Sequence, residues 1–476
     1  GGRCNRFAIR FSVPDPEGLY WIEYDYPDDR RRTAEVLVQN CRKNSYELQS
    51  GYCTGDEYEN SGRILTSGNL FFASGKDNAI LVMTARADAP AAISEIRIHQ
   101  ISGGLPDRLR NTPESGDSET RNVGIYYEDP ALNLGFGIDP RMMPGLEQML
   151  QRLCAYMKFS AQNLLVYPVC FYSGLVESHD SSRGHAPDFL DALLTVFDRE
   201  GLSFMGSLNQ NNLLSFDHRK LTEANVASGV LHRTPLSILN TGKPNLGGWH
   251  GTPPNFNVLH PEVQREVREN VKKILAVGKR HRSFKGIVLH IARHSLLSLG
   301  DLKAGYNDFM IEQFEKDTGI RVPADRNDPL RGKEYYRFLT GPVKKEWIRW
   351  RCGEVAKFYR KLAGQITAER SDLKLVINTL IPMGEVESPD YCRKDFVASR
   401  VLEAGIDREM LRSPSILLQQ SLYPADYRWR AGRTLRKGVY EHFRTIDQQR
   451  EFYFQLEGAV HPWVHMHDRY WESAVG

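Results

Sequence analysis

Two rhythms of apolar and polar positions divide the chain. From Phe7 to about Gln100, short runs alternate apolar and polar residues: FAIRFSV, LYWIEYDY, AEVLVQN, NLFFAS, AILVMTAR and ISEIRIHQI. A period of two places one face of a strand in a core and the other in water. Gly, Asp, Asn and Pro clusters separate the runs and read as turns. No helical period interrupts them. An antiparallel β-sandwich is therefore predicted for residues 1–104. The stretch GGLPDRLRNTPESGDSETR, Gly103 to Arg121, is rich in Pro, Gly, Ser and charge, so 105–121 reads as a linker.

From Asn122 the period changes. Short apolar runs now alternate with longer amphipathic ones. VGIYYEDP precedes GLEQMLQRLCAYMKF, NLLVYPVCFY precedes PDFLDALLTVFDREG, and LSFMGSLNQNN precedes HPEVQREVRENVKKILAVGK. FKGIVLHIARHS, LKLVINTLIP, SILLQQSLYP and the segment around EFYFQLEG and AVHPWVHMHDRYWES continue the series, with KEWIRWRCGEVAKFYRKLAGQITAER and DFVASRVLEAG between them. Ile348, Cys352, Val355, Tyr359, Leu362 and Ile366 step by four and three, which is one apolar stripe of a helix. Val263, Val267, Val271 and Ile274 do the same, with Pro261 suited to a first helical turn. Asn307 and Gly319 are expected to cap the helix between them, with Asp308 as part of the N-terminal cap.

Strands alternating with helices imply a parallel sheet with helical crossovers. An open doubly wound sheet and a closed barrel both begin this way. No Gly-rich phosphate loop follows the first strand, as a dinucleotide fold would want. Aromatic and polar residues gather at the carboxyl ends of nearly every strand, and long loops follow them, as in a barrel whose site is built there. The expected fold is thus α/β: a (β/α)8 TIM-type barrel over 122–476, behind the sandwich. Seven strand candidates can be read, so the last unit is expected to come from a longer parent chain or a second chain.

Composition narrows the function. The 476 residues include 41% hydrophobic and 25% charged, with a formal net charge of +3. That balance gives no electrostatic footprint for nucleic acid or an anionic membrane. No apolar run is long enough to span a bilayer. The chain starts at Gly1, which reads as a processed or engineered terminus; a removed signal peptide is one alternative, and a secreted or periplasmic location is the expectation. Seven scattered cysteines form no CxxC pair, and buried free thiols are expected, with a Cys41–Cys53 disulfide the alternative.

The strand ends carry the candidate chemistry. They offer Tyr127, Glu128 and Asp129; Tyr167 and Tyr172; Asn209, Gln210, Asn211 and Asn212; His290, Arg293 and His294; Asn378; Gln420, Tyr423, Asp426 and Trp429; and His465, His467, Asp468, Tyr470, Trp471 and Glu472. Aromatic rings pack on the C–H faces of sugars, and amides and carboxylates pair their hydroxyls. A phosphate ligand would call for more Lys, Arg and Gly. A carbohydrate substrate is therefore expected, with Trp249 and His250 of the long GGWHGTPPNFN loop as a lid or subsite wall. Each residue also has a structural alternative. Glu472 is a catalytic acid or a surface one. Asp426 is an acid–base group or a partner of Arg428 or Arg430. Glu128 and Asp129 bind substrate or make a turn before Pro130. Arg293 and His294 bind substrate, or Arg293 holds a carboxylate. His465, His467 and Asp468 have the spacing of a metal site, but hydrogen-bonded core or subsite roles are more common, and no metal or cofactor is expected.

The segment from the fourth strand through YNDFMIEQFEKDTGI and KEWIRWRCGEVAKFYRKLAGQI resembles (β/α)8 glycoside hydrolases of clan A. It is most similar to the family 42 β-galactosidase type and to bacterial "family 10-like" glycosyl hydrolases, over roughly residues 122–476. The resemblance implies two carboxylates at the ends of strands 4 and 7. Glu472 matches the strand 7 position, with the implied role of nucleophile. Strand 4 departs from the family, because IARHS has no carboxylate where Asn-Glu is usual. Asp426, then Glu128, are the substitutes for the acid–base. The alternative is a non-catalytic carbohydrate-binding protein on a degenerate barrel.

Overall fold

Seven antiparallel strands open the chain in the computed structural model. It describes residues 5–42, 45–55, 59–84, 86, 88–106, 122, 124–127, 130, 136, 143–172, 174–177, 188–247, 254–292, 295–380 and 394–421. The first strands are β1 (Asn5–Ser12), β2 (Leu19–Pro27), β3 (Arg32–Asn40), β4 (Ser45–Thr54), β5 (Ile64–Phe72), β6 (Asp77–Thr84) and β7 (Glu95–Ile101). They form two separate sheets, ordered β1-β6-β3-β4 and β5-β2-β7. Tyr20, Ile22 and Tyr24 of β2 share a buried cluster with Val36 and Val38 of β3 and Ile80 and Val82 of β6, so both sheets contribute to one core. The hydrophobic pattern does not reveal β4, whose sequence SYELQSGYCT contains few apolar residues and a glycine. Cys53 pairs across from Thr33, while Cys41 lies beyond the Asn40–Ser45 pair at the other end of the ladder. About 3.3 Å per residue keeps them far apart. Both are free thiols, which removes the disulfide alternative.

The second region runs β8 (Gly124–Tyr126), α1 (Met143–Phe159), β9 (Leu164–Tyr172), β10 (Gly174–Leu175), α2 (Phe189–Glu200), β11 (Ser203–Gln210), α3 (Glu223–Ser228), α4 (Pro261–Gly278), β12 (Phe284–Ile291), α5 (Asp308–Thr318), α6 (Gly332–Leu339), α7 (Lys344–Glu369), β13 (Lys374–Leu380), α8 (Lys394–Glu403), α9 (Arg408–Leu411) and β14 (Ile416–Ser421). β8, β9, β11, β12, β13 and β14 lie side by side in chain order, each parallel to the next. The short β10 turns back antiparallel to the end of β9.

That order decides the architecture. A parallel crossover is right-handed in nearly all proteins. When every crossover moves in the same direction along the sheet, all its helices fall on one face. A doubly wound sheet would instead reverse direction part-way and place helices on both faces. Here Ile125, Leu165, Phe204, Ile287, Ile377 and Ile416 enter one core with the apolar stripes of the helices, including Val263, Val267 and Val271 of α4 and Tyr359, Leu362 and Ile366 of α7. Tyr126, Leu164, Val166, Met205, Val288 and Val376 form a separate cluster on the other face. The result is a curled parallel sheet with its helices outside.

Backbone approach fixes the register on the concave side. Gly286 has φ +143°, and a Cβ there would lie 1.9 Å from the Lys374 carbonyl oxygen. Only glycine fits this conformation and this distance.

Arg152 of α1 joins the two regions. It donates to the carbonyls of Phe136, Glu17 and Ala73 at 2.9, 3.0 and 3.1 Å, and its guanidinium lies 5.2 Å from the centre of the Phe72 ring. One buried cation thus bridges the first sheets and the first helix.

The long stretch between β11 and α4 is not a plain loop. It buries Leu213, Phe216, Leu231, Leu236, Ile238, Phe256 and Val258 in the main core. Gly319 ends α5 in the left-handed conformation, as expected. Asn307 precedes that helix but makes no side-chain cap bond. Its amide instead donates to the Leu236 carbonyl at 2.5 Å and accepts from Asn257 at 2.8 Å, which ties the long stretch to α5. Asp308 is likewise not a cap. Its carboxylate takes two bonds from Arg331, at 2.7 and 2.6 Å, and one from the Tyr335 hydroxyl at 3.3 Å. Arg331 also donates to the Gly229 carbonyl at 3.2 Å. Burial pushes the Asp308 pKa up, but the hydrogen bonds and charge of Arg331 outweigh it and hold the carboxyl below its usual range.

Two outcomes follow from this packing. Gly286→Ala is expected to lower stability by roughly 3 kcal/mol or more, read as a fall in the urea midpoint. Asp308→Ala leaves Arg331 buried without its partner and should cost about 3–5 kcal/mol. Because the folded pKa of Asp308 is depressed, its contribution is complete above the unfolded value of 3.8 and disappears as pH falls through the folded value. Melting curves between pH 2 and 6 should therefore show less acid sensitivity in the variant than in the parent.

Candidate functional site

Side-chain parity along the strands defines the concave face. Residues two apart on a strand share a face. Met205, Val288 and Val376 lie in the concave cluster, and Leu417 packs against it. Ser207 and Asn209 follow Met205 on β11, His290 follows Val288, Asn378 follows Val376, and Gln419 follows Leu417. The register agrees, since Val288 pairs with Val376 and Val376 with Leu417, then His290 pairs with Asn378 and Asn378 with Gln419. Asn209 continues this row past the last β11–β12 pair, Leu208–Leu289. An apolar layer therefore gives way to a row of amides and an imidazole toward the carboxyl ends of the strands.

These side chains are almost fully buried, from 0% exposure at Ser207, His290 and Asn378 to 2% at Asn209 and Gln419. Tyr126 of β8 crosses to His290, its hydroxyl sharing a hydrogen bond with Nδ1, the two ring centres 5.7 Å apart. Both atoms can donate or accept, and the tautomer of His290 sets the direction. None of the six described parallel strands contains Asp or Glu. The row therefore holds amides, a hydroxyl and an imidazole, without a carboxylate. It can exchange hydrogen bonds with a hydroxyl-rich ligand, and it offers no cation for a phosphate.

The strand ends are also tied to each other. Tyr172 closes β9 at φ +45°, a strained conformation for a bulky residue. Its carbonyl accepts the backbone N–H groups of Asn211 and Asn212, both at 3.1 Å, and its ring stacks on Phe171 at 4.0 Å. This bond pair fixes the segment leaving β11 against the end of β9.

Among the residues expected at the site, Asn209 lies in the row. Tyr167 does not join it. The structure places Tyr167 in the helix-facing core, near the rings of Phe189 and Tyr127 at 5.8 and 5.7 Å. It sits two residues from Leu165, on the face opposite Val166 and Asn209, so the two expected substrate contacts are not brought together. Gln210 also faces the helices, where it bonds Glu266 and Asn270 of α4 at 2.6 and 2.8 Å. Glu128, Asp129, Trp249, His250, Arg293, His294, Tyr423, Asp426, His467, Asp468, Trp471 and Glu472 lie outside the described residues, as does His465. Sequence reading overlooked Tyr126, Ser207 and Gln419. The missing signal was parity: Gln419, two residues on, shares its face with Leu417.

Among the described residues no group of His, Cys, Asp and Glu could hold a metal ion, and no helix is long and apolar enough to cross a membrane.

No protein family matches the chain, and no curated protein does. The solved structures to which the chain is distantly similar include glycoside hydrolases. The glycoside hydrolase domain of PgaB (BpsB) from Bordetella bronchiseptica is 14% identical, covers 67% of this chain and 81% of its own, and gives a TM-score of 0.38. The β-galactosidase of the psychrophilic Marinomonas ef1 is 12% identical over 64% of this chain and 41% of its own, with a TM-score of 0.38. Gan42B, a GH42 β-galactosidase from G. stearothermophilus, is 12% identical over 63% of this chain and 40% of its own, with a TM-score of 0.35. The match thus spans well under half the length of these β-galactosidases. Likeness at this distance leaves the functional argument to the side chains themselves.

The Tyr126–His290 pair can be tested directly. Tyr126→Phe and His290→Ala should each destabilise the protein, by about 1–3 kcal/mol where a buried polar group loses its partner. The double variant should cost less than the sum, with a coupling of about 1 kcal/mol in urea unfolding.

Proposed function

We propose that the chain is a glycoside hydrolase acting on a poly- or oligosaccharide at the carboxyl ends of a barrel's strands. The buried row of Asn209, His290, Asn378 and Gln419 carries this reading, because it sits where parallel α/β folds build their sites and suits hydroxyls rather than phosphates. The resemblance of residues 122–476 to clan A enzymes supports it. In this reading the sheet closes into a (β/α)8-type barrel with strands supplied beyond β14, and the N-terminal sheets form a bracing sandwich. Glu472 acts as one carboxylate, with Asp426 or Glu128 as the other. One of the two must stay protonated near neutral pH, which burial or a neighbouring negative charge achieves.

A second reading has its own observation. With no Asp or Glu in the described parallel strands, and His290 where the fourth strand approaches the rim, the barrel binds glycan without cleaving it in this reading. Glu472→Gln separates the two readings. If the protein is a hydrolase, the variant loses at least about 100-fold in the release of reducing ends from the best substrate while still binding it. Unchanged hydrolysis rejects Glu472. Glycan binding by the parent protein, with no reducing ends released under any condition, favours the binding protein.

A further inference from the structure

Gln419 stands at the centre of β14 with its side chain on the concave face and 2% exposed. Neither Oε1 nor Nε2 has a hydrogen-bond partner among the described residues. Both ends of a primary amide are thus buried and unanswered by the described residues, a condition that costs about 1–3 kcal/mol unless water or a ligand relieves it. Leu418 and Ile416, on the other face, pack against the main core, so the strand cannot turn to satisfy the amide without exposing them. Nor is the amide isolated. Asn378 and His290 follow it across the sheet, at about 4.8 Å per strand.

We propose that Gln419 is a ligand-reading position, its amide reserved for two neighbouring hydroxyls of a sugar ring. The inference rests on the carbohydrate reading above and adds a specificity-determining residue to it. A primary amide presents one acceptor and one donor side by side. Adjacent hydroxyls can answer both, one donating to Oε1 and the other accepting from Nε2. A single carboxylate or phosphate group offers only acceptors and would leave Oε1 unanswered. When no sugar is bound, water takes the two positions, and the sugar displaces it. A site built to bond a hydroxyl rejects analogues that lack it, because the buried amide is then left unpaired.

The test uses the full chain and neutral oligosaccharides of glucose, galactose, mannose and xylose, with binding read by calorimetry. The tightest binder is then measured against Gln419→Met, which keeps the length and removes both polar atoms, and Gln419→Glu, which keeps the shape and removes the donor. The expected result is a loss of about tenfold or more in affinity for Gln419→Met, as two neutral hydrogen bonds disappear, with no fall in melting temperature. Deoxy analogues of the bound sugar should bind the parent more weakly and the Gln419→Met variant equally. Unchanged affinity in both variants overturns the proposal while leaving the carbohydrate reading intact. A lower melting temperature with no change in discrimination between sugar and deoxy sugar also overturns it, by showing a structural role. If the parent binds none of the sugars, the carbohydrate reading fails and this inference with it.

Discussion

The direction in which the chain advances across its parallel sheet governs the rest of the molecule. β8, β9, β11, β12, β13 and β14 are laid down in order, without a reversal. Right-handed crossovers then place every helix on one side. On the opposite side the described strands bury their side chains against one another. Tyr126, Val166, Met205, Val288 and Val376 meet there. The polar residues two positions further along must enter the same interior, which is why a row of amides and an imidazole becomes buried.

Burying such a row is costly unless its members are bonded. Tyr126 answers His290. Gln419, Ser207 and Asn211 have side-chain atoms with no partner among the described residues. Natural interiors contain few such atoms. Asn211 lies beside the strained Tyr172, whose carbonyl accepts its backbone N–H. Two buried groups of the outer frame make several bonds each. Arg351 bonds the carbonyls of Ala304, Gly300, Asp301 and Glu403, and Asp308 is clasped by Arg331. Those bonds hold the segments after β11 and β12 to the outer helices and so build a firm frame around the polar end.

Much of this frame was legible in the pattern of residues. The stripe Cys352, Val355, Tyr359, Leu362, Ile366 forms the buried face of α7, and Pro261 begins α4, because a helix's period and its cap chemistry are local properties. β4 escaped notice, since its burial comes from the sheet around it rather than from its own composition. Asn307 and Asp308 looked like cap residues for the same local reason. Distant partners, Leu236 and Arg331, claimed their side chains instead.

Local pattern was enough to set out the two regions, the alternation of strand and helix, and the placement of polar residues at strand ends. These follow from periodicity and composition, which neighbours in the chain largely set. Only the tertiary structure decided which face each polar side chain takes. Tyr167 and Asn209 are both strand residues in the same polar inventory, yet one packs against helices and the other enters the interior row. A single step along a strand reverses a side chain's direction, and a bulge such as the one between Ser207 and Leu208 shifts the pairing again. That parity depends on pairing between segments far apart in the chain, so the row of Asn209, His290, Asn378 and Gln419 exists only once the sheet has formed.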